Sequence, residues 1–518
     1  MFKARRIDGH GVRRMLTGVA IVASLVIASP GIAQAAWNAS VTGKGYAQAV
    51  SIPQGNTPSG AVNGRDVAVS WAVTRFPNNT PVAGYTVQRF DASTGTSQTV
   101  LASCTGTIAA LTCTEFGVAP GTWKYAVTPK QGLWTGAQSV KSPTVTVGSP
   151  SLTLSTTTLS ALPTTSAGSI ANFLDGESVT YRLDNAVSGT VLAGSITPSP
   201  VPTGGSATVS VTVPAGTSLG AHTVFAVGSL GSTASAAITV VDTTQPVVSA
   251  AVINKTLGNK PGFVKQGGTY FVYANATDTG STASGISTVT ANVSNVTTGS
   301  PAVALTTTGG PFTVGGVSYA YRSASLTASN PVVAGAKSFT VTATDVSGNS
   351  GSFTGSVTVD NTVPTASDVQ TANKAGGIAG RAEINDTITY TFSEPIDPNS
   401  ILAAWTGTST AVTLRLNNVG GSDTVTVFDS GNTVQLPFGT VALGRTDYVG
   451  ANRTFTGSTM VMSGSTITIT LGTASGATTT AAGTGTMTWT PSTTPTDLAG
   501  NACTATVATE TGAADAEF

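Results

Sequence analysis

The sequence predicts an all-β chain, a row of β-sandwich domains behind a signal peptide. Three observations carry that prediction. Only 9% of the 518 residues are charged, against about 25% in ordinary soluble domains. The place of charge is taken by 91 Thr and 53 Ser, more than a quarter of the chain. Apolar residues then recur at every second position in short runs, with turn residues about every ten positions, as sandwich strands do. Surface helices need Glu, Lys, Arg and Ala, and too few charges are present to build many. Disorder would require few apolar residues and a high net charge, whereas 23 basic residues balance 23 acidic ones. At about 100–200 residues per domain the length suggests three to five domains.

The same composition narrows the chemistry. The chain holds two histidines, His10 and His222, and three cysteines, Cys104, Cys113 and Cys503. A Ser-His-Asp or Cys-His mechanism would have to use His222, and a histidine-rich metal site is excluded. His222 itself has no carboxylate or nucleophile beside it in sequence and reads as an exposed loop residue. The formal charge of zero speaks against a basic nucleic-acid face, so no nucleic-acid partner is expected.

The first 35 residues read as a secretory signal. Lys3, Arg5, Arg6, Arg13 and Arg14 precede the apolar run Met15–Ala28, and Ala33-Gln34-Ala35 follows. A basic segment, a short apolar stretch and A-x-A have the order of a cleaved signal peptide. Fourteen residues are short for a membrane span, which needs about 20; an uncleaved anchor is the alternative. Cleavage would remove five basic residues and Asp8, leaving a net charge of −4. No sortase-type motif is found near the C-terminus, so a secreted, extracellular or cell-surface location is expected, without an integral membrane domain. Residues 511–518 read as a short acidic tail.

Residues 37–148 come next. Val67, Val69 and Trp71 alternate, as do Tyr85, Val87 and Arg89, and Trp123, Tyr125 and Val127. Trp71, Gly84-Tyr85-Thr86-Val87 and Pro120-Gly121-Thr122 before an aromatic strand make this region resemble a fibronectin type III domain. Lys124 stands where that family commonly has a tyrosine. Export into an oxidising compartment predicts a disulfide between Cys104 and Cys113, nine apart.

Residues 149–241 alternate at Val179, Tyr181 and Leu183, and at Val209, Val211 and Val213. They resemble an Ig-like β-sandwich. Residues 243–361 end in Val341–Asn349 and Gly355–Val359, which look like the closing hairpin of a bacterial Ig-like domain. Residues 362–510 contain Ser393-Glu394-Pro395-Ile396-Asp397-Pro398, which resembles the opening of another bacterial Ig-like class known from surface-layer and adhesin proteins. The expected strands Val425–Phe428 and Thr466–Leu471 imply inserted hairpins there. The resemblances together imply tandem Ig-like and fibronectin type III-like domains.

Two motifs recur. Val241-Asp242-Thr243-Thr244-Gln245-Pro246 matches Val359-Asp360-Asn361-Thr362-Val363-Pro364, each at a domain junction. Thr342–Asn349 matches Thr494–Asn501, each with the pattern T-D-x-x-G-N. Asp opening a type I turn and Gly at its fourth position suit that turn. Turn and linker chemistry without a metal is the reading, and no cofactor is expected; the functional alternative is calcium. Asp345, Asp360 and Asp278, or Asp242, could meet at an interdomain joint, and calcium takes six to eight oxygen ligands.

Other candidates are weaker. Asp175/Glu177 and Glu394/Asp397 are the carboxylate neighbours that glycoside hydrolysis would need, but each lies in a turn-like string, and no catalytic residue is assigned. Trp134, in a hairpin loop, and Trp405 are candidate platforms for stacking on a glycan. Cys503 falls in the expected last strand, Ala502–Val507, and reads as a buried thiol, with an intermolecular disulfide as the alternative. The expected role is non-catalytic, structural or adhesin-like, with an extracellular protein, a glycan or the cell wall as partner. A carbohydrate-binding accessory of polysaccharide processing and a self-assembling filament subunit are the competing readings.

Overall fold

A computed structural model describes residues 50–256, 258, 260–514 and 516–518. The signal-peptide reading of residues 1–35, with His10, lies outside the described residues. The architecture is all-β. The described residues include one four-residue α-helix, Pro398–Ile401, and one 3-10 turn, Ala102–Cys104; the rest of the regular structure is strand. No described helix is long and apolar enough to cross a membrane.

The described residues fall into two compact units: those of 50–154, 167–210 and 225–236, and those of 155–166, 211–224 and 237–518. The region 149–241 contributes strands to both.

In the first unit, Ser59–Asn63, Asp66–Ser70 and Thr112–Glu115 form a three-stranded sheet. It is accompanied by a five-stranded sheet built on Gly84–Asp91 and Gly121–Gln131. The alternation read from sequence puts Val67, Val69, Tyr85, Val87, Tyr125 and Val127 into one core with Trp71. The ring of Trp71 meets Tyr85 edge-on at 5.5 Å between centroids.

That alternation also carries Arg89 inward, at a position where an apolar residue would pack. Its charge is met by Glu115, which is fully buried, at 3.0 Å. Glu115 Oε1 also accepts the Leu101 amide at 2.5 Å, and Arg89 Nη2 donates to the Thr99 carbonyl. A buried charge is tolerated when it is paired and hydrogen-bonded in this way. The Cys104–Cys113 disulfide is present, with Cα atoms 5.4 Å apart. It closes the loop 104–113, which lies between Leu101 and Glu115 in the chain. Elsewhere in this unit Ser151–Leu154 pairs with Thr164–Ala171, and Val179–Leu183 with Thr190–Thr197.

The second unit holds two sheets of nine and ten strands. The nine-stranded sheet, from Val247–Lys255 to Ser350–Val359, encloses a core that includes Tyr270, Val289, Phe339 and Val341. Its closing hairpin pairs Gly335–Asp345 with Ser350–Val359, as the sequence led us to expect. The ten-stranded sheet surrounds Trp489, against which Tyr390 and Phe392 stand edge-on at 5.1 and 4.9 Å. The expected inserted hairpins are Thr410–Asn417 with Thr424–Asp429, and Arg453–Ser463 with Thr466–Thr470.

Two local readings are corrected. Cys503 is buried but lies in irregular backbone; the next strand described after it in the chain is Ala508–Thr509. Pro495 and Pro364 explain this, because the amides of Cys503 and Thr504 donate to their carbonyls instead of to a neighbouring strand. His222 sits inside the strand Gly220–Gly228, half-buried, with Nε2 2.9 Å from the Ser218 carbonyl.

The disulfide closes a loop small enough for chain-entropy arguments to give a definite magnitude. Replacing Cys104 and Cys113 together by Ala is expected to lower stability by about 2–3 kcal/mol. Denaturant unfolding of the first unit's tryptophan fluorescence checks this.

Candidate functional site: two carboxylate clusters

The two sequence repeats turn out to be halves of one construction, made twice in the second unit. In the first copy the turn between Gly335–Asp345 and Ser350–Val359 is closed by the Asp345 amide on the Asn349 carbonyl at 3.0 Å. Gly348 has φ +93°, a conformation that a side chain would strain. Asp345 Oδ1 accepts the Asn349 amide at 2.8 Å, and Oδ2 accepts Asn349 Nδ2 at 2.8 Å. The same Nδ2 donates to the backbone carbonyl of Asp242 at 3.2 Å.

The second copy repeats every contact. The Asp497 amide donates to the Asn501 carbonyl at 3.0 Å, and Gly500 has φ +95°. Asp497 Oδ1 accepts the Asn501 amide at 2.7 Å and Oδ2 accepts Asn501 Nδ2 at 2.7 Å. Asn501 Nδ2 donates to the Asp360 carbonyl at 2.9 Å. The asparagine of T-D-x-x-G-N thus holds the aspartate of V-D-x-T-x-P at both places.

A third carboxylate completes each group. Asp278 follows the strand Thr269–Thr277, and Glu394 follows Thr387–Phe392. Asp242, Asp278 and Asp345 bring one oxygen each within 4.8 Å of one another, and so do Asp360, Glu394 and Asp497. Asp242, Asp345 and Asp497 are buried; the other three are half-buried. Backbone amides fill many of the oxygens. Asp242 accepts from Thr244 and Ser284, Asp278 Oδ2 from Gly285, and Asp360 from Thr362. Two buried oxygens have no partner, Asp278 Oδ1 and Glu394 Oε1.

The electrostatics differ between the copies. Burial, followed by the charges of Asp360 and Asp497, pushes the Glu394 carboxyl up to about 7. Burial also raises Asp497, against the hydrogen bonds from Asn501 and Gly500 that favour its charged form. At Asp242 burial acts upward too, but the hydrogen bonds from Ser284 and Thr244 outweigh it and the carboxyl titrates below its ordinary value.

The structure corrects some of the sequence expectations and agrees with others. Asp360 does not join Asp242, Asp278 and Asp345; it belongs to the second cluster, because Asn349 holds the Asp242 carbonyl and Asn501 holds the Asp360 carbonyl. Glu394 and Asp397 take separate places. Glu394 enters the cluster, while Asp397 caps Pro398–Ile401 through the Asn399 amide and pairs with Lys255 at 2.7 Å. Asp175 and Glu177 are turn residues. Glu177, fully buried, accepts the amides of Leu174, Leu230 and Ser232, and Asp175 accepts that of Gly204. Trp405 offers no stacking face: it is 5% exposed in the core, with Nε1 on the Thr408 carbonyl at 2.6 Å. Trp134 is 66% exposed in the hairpin with Gln131, beside Leu133. Burial pushes the Cys503 thiol up, away from reactivity.

Sequence reasoning did not assign Glu394 and Asp497 to the cluster. Asp497 was legible, since the repeat aligns it with Asp345. Glu394 was masked by the proline-rich motif around it, and no sequence repeat aligns it with Asp278.

No family model matches the chain, and no curated protein matches it. Among solved structures it is similar to a tetra-tandem repeat from the extending region of a large adhesion protein, at 13% identity over 89% of this chain and 98% of that one, TM-score 0.23. It is similar to the Escherichia coli adhesin FdeC at 13% identity over 70% and 96%, TM-score 0.22. It is also similar to the Bacteroides ovatus glucan-locus protein SGBP-B, solved with a mixed-linkage heptasaccharide, at 12% identity over 83% and 89%, TM-score 0.14. TM-scores this low carry no conclusion about this chain.

The raised Glu394 carboxyl has a definite pH signature. A carboxyl titrating higher in the fold than in the unfolded chain stabilises the fold below its unfolded value, and that contribution is lost as pH rises through the folded value. Stability in chelator should therefore fall as pH rises from about 4.5 to about 7. Glu394→Gln should flatten that dependence; thermal melts of both chains across the window check it.

Proposed function

We propose that the chain is a non-catalytic, extracellular structural protein of adhesin-like type, whose two carboxylate clusters each take a calcium ion that stiffens a domain junction. One observation carries the reading: the same Asp-turn-Asn construction, with three converging carboxylates, is made twice at the two V-D-x-T-x-P junctions. The donor set supports it. Carboxylate oxygens are what a hard cation such as calcium takes, at 2.3–2.6 Å and six to eight per ion. Asp278 Oδ1 and Glu394 Oε1 are buried oxygens without a hydrogen-bond donor, and such groups cost stability until something fills them. Three like charges held within 4.8 Å disfavour one another, and a divalent ion relieves that repulsion.

Calcium should raise the melting temperature of the second unit. A ligand at 100 times its Kd adds about 2.7 kcal/mol. Asp345→Asn and Asp497→Asn together should abolish the gain while leaving the hairpins closed, since Asn Oδ1 can still accept the Asn349 or Asn501 backbone amide and only the bond from Nδ2 is lost. An unchanged melting temperature at millimolar calcium would overturn the proposal.

A second reading rests on Trp134. An exposed indole at a hairpin tip can stack on a sugar ring, as aromatic faces do in ligand sites. Retention on an insoluble polysaccharide that Trp134→Ala abolishes would support a carbohydrate-binding role. Equal retention of both proteins would count against it.

A further inference from the structure

The two junctions of the second unit share their carboxylates but not their other contacts. At the first, hydroxyl groups complete the contact: Ser281 Oγ accepts the Leu162 amide at 2.7 Å, and Thr282 Oγ1 donates to the Ser160 carbonyl at 2.9 Å. At the second, two lysines do so. Lys255, at the end of Val247–Lys255, is 8% exposed. Its ammonium lies 2.7 Å from Asp397 Oδ2 and 2.5 Å from the Leu498 carbonyl. Lys265 Nζ donates to the Gly500 carbonyl at 2.6 Å. Both carbonyls belong to the Asp497–Asn501 turn, which Asn501 Nδ2 already ties to the Asp360 carbonyl at 2.9 Å.

From this we infer that Lys255 and Lys265 are a charge-assisted latch, which couples the 243–361 and 362–510 regions into one cooperative body without any metal ion. Hydrogen bonds from an ammonium are about twice as strong as neutral ones. The pair Lys255–Asp397 is removed from water, with side chains 9% and 4% exposed, so salt screens it weakly. Separating the two regions would leave a buried ammonium and a buried carboxylate to be rehydrated on opposite sides, and it would release two carbonyls of the same turn. The hydroxyl contacts at the first junction carry no such charge. The latch stands whether or not the carboxylate clusters bind calcium.

The test uses the full chain in chelator, with hydrogen exchange followed across a urea gradient. In the unaltered protein the strands Thr269–Thr277 and Thr387–Phe392 should lose protection at one shared urea midpoint. In Lys255→Met/Lys265→Met the two midpoints should separate, and the amides of Gly500 and Asn501 should exchange at least tenfold faster in the absence of urea. Lys265→Met alone leaves the buried ion pair in place and should give a smaller separation, which decides the matter if the double variant does not fold. Asp397→Asn keeps the helix cap, since Asn caps as well as Asp, and should separate the midpoints as the loss of Lys255 does. Separate midpoints in the unaltered chain, or a shared midpoint that survives these substitutions, would overturn the latch. A calcium effect absent from the unaltered chain would count against the calcium reading and leave the latch standing.

Discussion

A buried aspartate beside a chain reversal must have its oxygens filled, and here one asparagine amide does much of that filling. Asn349 and Asn501 each donate through one Nδ2 both to their own turn's aspartate and to a junction carbonyl. That shared donor fixes the turn and the incoming chain to each other. Everything else in the clusters follows from it. The junction aspartate is drawn to the hairpin, and the acidic residue after the second strand arrives beside both. Three carboxylates then sit closer together than they would in water.

The scarcity of charge makes each buried charge informative. Arg89 finds Glu115, Lys255 finds Asp397, and Glu177 collects three amides. In each case the desolvation of a charge is met by a partner or by backbone donors. In the carboxylate clusters two buried carboxylate oxygens, Asp278 Oδ1 and Glu394 Oε1, have no donor. Unfilled carboxylate oxygens that lie beside two other carboxylates mark where a cation would make a difference. The calcium proposal rests there and not on the number of acids alone.

A non-catalytic reading fits the same pattern. Of the carboxylate pairs considered for hydrolysis, Asp175 and Glu177 are committed to turns, Asp397 to a helix cap and an ion pair, and Glu394 to a cluster. Trp405 is spent on the core, and Cys503 is shielded. What stays available to a partner is Trp134 with Leu133 at one hairpin tip, and the hydroxyl-rich faces of the strands. Fold class alone names no ligand.

The sequence by itself determined the all-β class, the inward sets Val67/Val69 and Tyr85/Val87, the closing hairpin at 341–359 and the two kinds of repeat. These depend on period-two alternation and local turn chemistry, which are properties of neighbouring residues. It also brought Asp345 and Asp497 into register. Only the tertiary structure decided that the two repeats make a single site, that Asp360 parts from Asp242, and that Glu394 and not Asp397 joins it. It alone showed Trp405 as core and Lys255 as a partner of a residue 142 positions away. Those outcomes depend on which strand ends meet in space. Such meetings are set by sheet pairing over long sequence separations, and no local pattern encodes them.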